Sequence, residues 1–403
     1  MGYLALLRGC CSLTNYQKDL INLLKKSMFK YEFDTSNIDW KSVYKEASTQ
    51  AVSAFVYDST DNIDNIPECV YKLLKQYTIS VMLKNEQIFQ GQKSLVNLLE
   101  ENKIDYAIIK GFTAAVNYTK PELRTLGDVD FLVRKSDFQR VKNLLLQNGY
   151  SLVKEEENHF HCALKKDGVL FEMHFELSEF PNTELGENLR DFLDSALDDV
   201  VEYEFQGEKF KGLNTKFQMF SLLLHMERHM SKNGSGLRQL LDFRFFVEKH
   251  PEVMQDEEYV LLLKKYGLFK MASVCIDLVD KYFYDKEINN KTVDMLMEMS
   301  LKRGNFGIKR SIEETYTNGL IGIKHSNIVK RNIAFFSNRS MLTWSLAKKY
   351  RGLKYLGIIY LPIRHLFRIL FKKKKSINYR KVFESSKEAN MLYDDLCIFK
   401  GKD

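Results

Sequence analysis

LRTLGDVDFLV, residues 123–133, sets two carboxylates, Asp128 and Asp130, one residue apart at the head of a run that otherwise reads as a buried strand. Strand side chains alternate faces. Val129, Phe131 and Val133 therefore share one face and point to a core. Asp128 and Asp130 share the other, roughly 6.6 Å apart at ~3.3 Å per residue. Further on, HFHCALKKDGVLFEMHFEL (159–177) alternates in the same way on both sides of Asp167-Gly168, a pair suited to a two-residue hairpin turn. Phe160, Cys162 and Leu164 on one strand, and Val169, Phe171, Met173, Phe175 and Leu177 on the other, make an apolar back. His159, His161, Glu172, His174 and Glu176 make a polar front. Three strands with a greasy back and an acidic front need a reason for the acids.

Working outward, DYAIIK before Gly111 reads as a short strand, and FTAAVNY as a turn or two of helix. SDFQRVKNLLLQNGY reads as a helix with Ser136 as its N-cap and Gly149 at its end. The first hundred residues carry helical periodicity: NYQKDLINLLKKSM, then DWKSVYKEASTQAVSAFVYD with Asp39 as N-cap, then a long helix or two broken ones from Pro67. After residue 213 helices resume with TKFQMFSLLLHMERHMSK and LRQLLDFRFFVEKH, joined by NGSG. The divisions that follow are a helical region 1–103, an α+β core 104–212, a helical domain 213–330 and a basic amphipathic region 331–403.

Acids on adjacent strands repel one another unless a cation sits among them. Hard carboxylate oxygens suit Mg²⁺ or Mn²⁺, which complete their shells with water and substrate phosphates. Asp128, Asp130 and Glu172 are thus candidates to hold two such ions ~4 Å apart, the spacing used in phosphoryl transfer. IIKGF ends a strand at a glycine and opens a helix, so Lys110 and Gly111 are placed to meet phosphate, and Arg124 adds a guanidinium fork.

The order IIKG, LRTLGDVDFLV, FEMH resembles the nucleotidyltransferase fold of the DNA polymerase beta superfamily, and more narrowly a family of bacterial uncharacterised nucleotidyltransferases. The likeness covers residues 20–250 and is strongest over 104–177. It implies an α+β fold, a small mixed sheet of nucleotidyltransferase type with flanking helical domains. It also implies Asp128, Asp130 and Glu172 as metal-binding and catalytic carboxylates, with Lys110, Gly111, Arg124, His174 and Arg238 around the nucleotide. Phe112 departs from the wider superfamily, which prefers Ser or Gly after the turn glycine, so a serine contact to the phosphates is missing.

A second cluster falls on the next helices. His225 and His229 are i and i+4, as are Arg238 and Asp242. One reading closes Arg238 and the histidines over a nucleotide, another makes a zinc site of His225, His229 and Asp242, and a third is a helix pair with an ordinary salt bridge. A phosphohydrolase of the HD type would need an adjacent His-Asp pair, which this helix lacks.

Apolar residues are 45% and charged residues 28% of the 403, an ordinary globular balance. Six scattered cysteines without a CxxC pair read as reduced thiols of a cytoplasmic protein. MGYLALLRGCCSL has no basic n-region, Leu6 breaks the myristoylation pattern, and no segment reaches ~20 uninterrupted apolar residues. Charge is segregated. Residues 315–383 hold 16 Lys and Arg without one Asp or Glu, against 44 basic and 53 acidic residues elsewhere. Within them, Ile359, Ile363, Leu366, Phe367 and Leu370 share one helical face, with Arg364, Arg368 and Lys372 on the other and Lys373 to Lys375 trailing. That pattern fits an anionic membrane surface at the inner face of the membrane better than nucleic acid, and fits equally a helix whose apolar face packs on the protein's own helices with its lysines solvated.

The expected activity is Mg²⁺-dependent transfer of a nucleoside monophosphate from a triphosphate to an unknown hydroxyl acceptor, with surface polysaccharide metabolism as a setting. The alternatives are a non-catalytic nucleotide-binding regulator, a membrane-recruited scaffold for surface-glycan assembly, and a protein- or RNA-modifying enzyme of toxin–antitoxin type.

Overall fold

The computed structural model describes residues 13–154, 160–180, 183–232, 234–309, 350–372 and 379–399, with a few residues between 333 and 347. Two compact units result. One holds the chain up to Met230, residues 234–308 and the last residues from Cys397; the other is drawn mainly from residues 309–396. His159 and the lysines at 373–375 lie outside the described residues.

The first unit begins with helices α1 (Asn15–Phe29), α2 (Trp40–Gln50), α3 (Ser53–Asp58) and α4 (Glu68–Glu101). Asp39 caps α2, accepting from the Ser42 amide at 3.1 Å. The single helix expected from DWKSVYKEASTQAVSAFVYD is two. Ala51 turns left-handed at φ 57° and ends α2, and α3 restarts at Ser53. The long helix does not break: α4 runs 34 residues and buries Val70, Leu74, Val81, Ile88, Leu95 and Leu99. It crosses the sheet at Gly91, where a Cβ would come within 3.2 Å of the Phe171 ring.

The sheet has seven strands: β1 (Tyr106–Ile109), β2 (Val129–Val133), β3 (Ser151–Lys154), β4 (His161–Lys166), β5 (Val169–His174), β6 (Val200–Phe205) and β7 (Glu208–Leu213), in the order β3-β4-β5-β2-β1-β7-β6. It is mixed. β2 runs parallel to β5 and antiparallel to β1, and β1 runs parallel to β7. Asp167 and Gly168, at φ 49° and 78°, make the hairpin turn between β4 and β5. The β6–β7 hairpin is an addition to the sequence reading, turning at Gln206-Gly207 with VVEYEF and EKFKGL on either side. The apolar back is the core expected: Phe131, Leu164, Phe171 and Met173 are no more than 1% exposed. Truncating such a ring, as in Phe131→Ala, costs ~3–5 kcal/mol.

Between strands lie α5 (Gly111–Ala115), α6 (Phe138–Gln147) and α7 (Glu184–Asp194). The N-cap of α6 is Asp137 rather than Ser136, and its side chain makes no capping bond. Helices α8 (Thr215–Lys232), α9 (Leu237–Lys249), α10 (Glu252–Gln255), α11 (Glu257–Lys265), α12 (Phe269–Phe283) and α13 (Lys291–Arg303) follow. Phe192 of α7 packs on Phe217, Phe220 and Tyr266, tying α7 to α8 and to the end of α11. The second unit contains α14 (Gly357–Lys372) and α15 (Tyr379–Asp395).

Candidate active site

Parallel pairing of β2 with β5 puts Asp130 directly beside Glu172 and Leu132 beside His174. Alternation turns both carboxylates to the front of the sheet. Asp130 is buried, and its Oδ1 accepts from Lys110 Nζ at 2.8 Å and lies 2.9 Å from His174 Nε2. The same imidazole nitrogen is 3.6 Å from Glu172 Oε2. Candidate ligand atoms of Asp130, Glu172 and His174 fall within 4.8 Å of one another. Asp128 is half-buried and stands outside that group, though it feels the charges of both acids.

The electrostatics follow from crowding. Burial, then the charges of Asp130 and Glu172, push the Asp128 carboxyl up to about 7 against the pull of Lys110 and Arg238. Burial acts the same way on Asp130, but the Lys110 charge and the His174 hydrogen bond outweigh it and hold Asp130 well below the usual range. Glu172 is also lowered: burial is opposed by its bond to His174. His161 stacks on His174 with ring centroids 5.0 Å apart, and burial followed by His174 draws it down to about 4.

Lys110 leaves β1 at φ 57° and ψ −134°, a conformation that favours glycine and stores ~1–3 kcal/mol of strain in any other residue. Gly111 continues the turn at φ 37°. The Thr113 hydroxyl donates to the Lys110 carbonyl at 2.6 Å, and Gln218 of α8 donates to Thr113 at 3.0 Å. Phe112 points away from the front face into the core against Phe89 and Phe205. Its side chain is a packing element, and Thr113 carries the hydroxyl at this turn.

Four expectations meet other contacts. Arg124, expected to fork onto a nucleotide, forks onto Asp242: Nε–Oδ1 and Nη2–Oδ2 are both 2.7 Å. Tyr118 donates to the same carboxylate at 2.7 Å, so both oxygens of the buried Asp242 are already bonded to Arg124 or Tyr118. His225 and His229 do face each other, rings 4.4 Å apart, but the expected third ligand is committed to Arg124. The ordinary salt bridge between Arg238 and Asp242 is also replaced by this pair. Arg238 instead donates to the Thr125 carbonyl at 2.8 Å and lies over Phe306, and its Nε finds no partner among the described residues. His174, expected to touch nucleotide, has no exposed surface and serves Asp130.

Tyr118 and Asn85 carried no sequence signal. Asn85, on α4, donates to the Glu122 and Arg124 carbonyls at 2.9 Å and accepts from the Leu126 amide, holding the loop that leads into Asp128. No periodicity or motif marks a helix-surface Asn for that task.

Two hard carboxylates and an imidazole nitrogen within a few ångströms, with a third acid beside them, are a donor set that fits a divalent cation. This front lies on a mixed sheet entered from the Lys110-Gly111 turn. The family described as uncharacterised nucleotidyltransferase matches residues 36–284, and the chain belongs to that family. It is thus a nucleotidyltransferase with a nucleotide substrate and an acceptor yet to be named. No curated protein matches the chain.

Proposed function

We propose that the protein transfers a nucleoside monophosphate from a nucleoside triphosphate to a hydroxyl group, using Mg²⁺ or Mn²⁺. The observation that carries this is the pairing of Asp130 with Glu172 on adjacent parallel strands, with Asp128 two residues before Asp130. The acceptor oxygen forms a bond to the α-phosphorus, the bond from that phosphorus to pyrophosphate breaks, and the acceptor proton passes to a carboxylate of the site or to water. Asp128, Asp130 and Glu172 would hold a divalent cation, which would supply neutralisation of the charge that develops in transfer. Lys110 moves its ammonium from Asp130 to the phosphates, and the unpartnered Nε of Arg238 gives a further donor from the helical side. His174 keeps Asp130 ionised and oriented. In this reading 104–212 carries the chemistry, 1–103 supports it, and 213–330 closes over the nucleotide.

The test is release of pyrophosphate by the purified chain from each of the four common triphosphates, with mass spectrometry of the products. Release that requires Mg²⁺ or Mn²⁺ and disappears in Asp130→Asn supports transfer. Tight nucleotide binding without release points to the regulator, and a nucleotide adduct on protein or RNA to the modifying enzyme. Surface polysaccharide metabolism stays part of this reading on the family resemblance alone.

One observation supports a second element, peripheral attachment to an anionic membrane from the cytoplasmic side. On α14, Ile359, Ile363 and Phe367 are 61%, 54% and 61% exposed at i, i+4 and i+8. The side chains of Leu366, Arg368 and Leu370 lie outside the described residues. Among those described, no helix is long and apolar enough to cross a membrane. An exposed apolar row in a region of 16 basic residues suits a headgroup boundary. Flotation of the full chain with anionic but not neutral vesicles, weakening as salt rises, is the expected result. Equal behaviour with both vesicle types would remove this element.

A further inference from the structure

After α13 the chain makes one turn over Asn305–Gly307, and Phe306 is held in it at φ 54° and ψ 20°. A bulky residue at positive φ is an outlier. Glycine would take that position freely, and Gly304 and Gly307 stand close by at φ 71° and 70°. Burial does not account for a phenylalanine here, because Phe306 is 49% exposed. A strained, half-exposed aromatic ring calls for a task outside the core.

The turn is pressed onto the loop between α8 and α9. A Cβ on Gly236 would come within 2.9 Å of the Asn305 backbone, and one on Gly234 within 3.3 Å of Gly307 Cα. That contact sets the ring against the end of α8 and the start of α9. His229 meets it edge-on, with ring centroids 4.7 Å apart and planes at 69°, and the Arg238 guanidinium lies 5.2 Å from its centre. Each neighbour holds a buried nitrogen without a hydrogen-bond partner among the described residues, Nδ1 of His229 and Nε of Arg238.

Those same two side chains lead to the acidic front. Arg238 donates to the Thr125 carbonyl at 2.8 Å. Thr125 precedes Asp128 by three residues, at most ~11 Å of chain. Arg238 and Asp128 feel each other's charge, and His229 feels those of Lys110 and Asp130. From the ring inward the order is therefore an open aromatic face, then two unpaired nitrogens, then a lysine and carboxylates suited to a cation and phosphates. A nucleotide offers the matching parts in the same order. Its base has a π-face that stacks on an aromatic ring whatever the base, its sugar hydroxyls donate and accept, and its phosphates follow. An aliphatic occupant would leave both nitrogens unpaired, and a simple cation would make no use of the open ring.

We propose that Phe306 is the platform on which the base of the nucleoside triphosphate stacks, with the sugar beside His229 and Arg238 and the phosphates toward Lys110. The proposal rests on the transfer reading above and gives base binding to a residue beyond the 36–284 segment that the family matches.

The experiment is calorimetry of the full chain with Mg²⁺ and two kinds of probe. One is the set of α,β-methylene analogues of the four common triphosphates, which cannot release pyrophosphate. The other is tripolyphosphate, which has no base. Phe306→Leu and Phe306→Gly should weaken the nucleotide analogues about tenfold or more and leave tripolyphosphate within about twofold. Phe306→Tyr, which keeps a ring face, should bind them as wild type does. Phe306→Gly should melt no lower than wild type, since glycine relieves the left-handed backbone, so its lost binding is not lost folding. The proposal is overturned if Phe306→Leu or Phe306→Gly keeps nucleotide affinity, or if Phe306→Tyr loses it as well. It is also overturned if tripolyphosphate weakens as much as the nucleotides, which would make Phe306 a prop for Arg238, or if wild type binds tripolyphosphate as tightly as every nucleotide. Each of these leaves the transfer reading standing. Wild type that binds neither probe would sink the transfer reading and the platform together, so the two failures are distinguishable.

Discussion

Two of the buried ionic groups of the first unit are built on opposite terms. In the first, Arg124 and Asp242 meet through two 2.7 Å bonds, Tyr118 adds a third, and both Asp242 oxygens are engaged by the pair's own partners. In the second, three acids share one front with Lys110 as the cation bonded among them. The first joins the loop before β2 to α9 and is saturated. The second carries surplus negative charge, visible in Asp128, whose carboxyl is pushed up to about 7 by burial and by its acidic neighbours. Charge balance, more than burial or residue type, separates a strut from a site: a saturated pair has nothing to offer a ligand, while a surplus stabilises whatever neutralises it.

The largest expected effect sharpens that contrast at the second group. Asp130→Asn should abolish pyrophosphate release, because a neutral amide cannot balance the cation, and it should abolish the gain in melting temperature that wild type shows with Mg²⁺–nucleotide. An equal gain in both proteins would place the cation elsewhere. Asp128→Asn makes the complementary check: without ligand it should melt a few degrees higher than wild type, since it removes a carboxylate that its neighbours disfavour. A lower melting point would show that Asp128 is not crowded.

At the first group, Asp242→Asn should cost ~3–5 kcal/mol, as removal of one partner of a buried pair does. Urea unfolding measures it. A loss under ~1 kcal/mol would mean the fork is solvated and the contrast drawn above is false.

A smaller effect tests Arg238, which belongs to neither group. Arg238→Lys should weaken Mg²⁺–nucleotide binding about tenfold, ~1.4 kcal/mol, because an ammonium cannot present the planar fork. Stability should change little. Calorimetry giving unchanged affinity would leave Arg238 a packing residue under Phe306.

The smallest concerns pH. Burial, with His229 and Lys110 adding to it, takes His225 well below its ordinary value, and burial followed by Lys110 takes His229 down to about 3. In the unfolded chain both titrate near ~6.5. Below that pH the unfolded state binds protons that the folded state refuses. Stability from these groups is therefore present above ~6.5 and lost as pH falls toward the folded values. His229→Gln should flatten part of the decline in melting temperature between pH 6.5 and 5 relative to wild type. An identical pH profile would show His229 to be solvated.

What could be read from the residues was local. Alternation in GDVDFLV and in the strands around Asp167-Gly168 sorted front from back, because a period of two leaves a side chain no other face. The turn at Lys110-Gly111 and the cap at Asp39 depend on neighbours a few residues away, and they too were visible. Asp39 is separated from its bonding partner by three positions; Arg124 is separated from Asp242 by 118. No pattern in the chain states that second distance, so the i, i+4 spacing of Arg238 and Asp242 suggested the wrong pair. Local rules also missed the left-handed break at Ala51. Helix packing settled whether Asn85 would face water or hold the loop before Asp128. The order of strands in the sheet set Asp130 beside Glu172, and His174 within reach of both. The sequence alone determined which side chains are acidic, which face of each strand they occupy and where the chain turns, since those follow from backbone geometry over a few residues. Only the tertiary structure decided which charges were neutralised and which were left in surplus, because that depends on groups the chain brings together from more than a hundred residues apart.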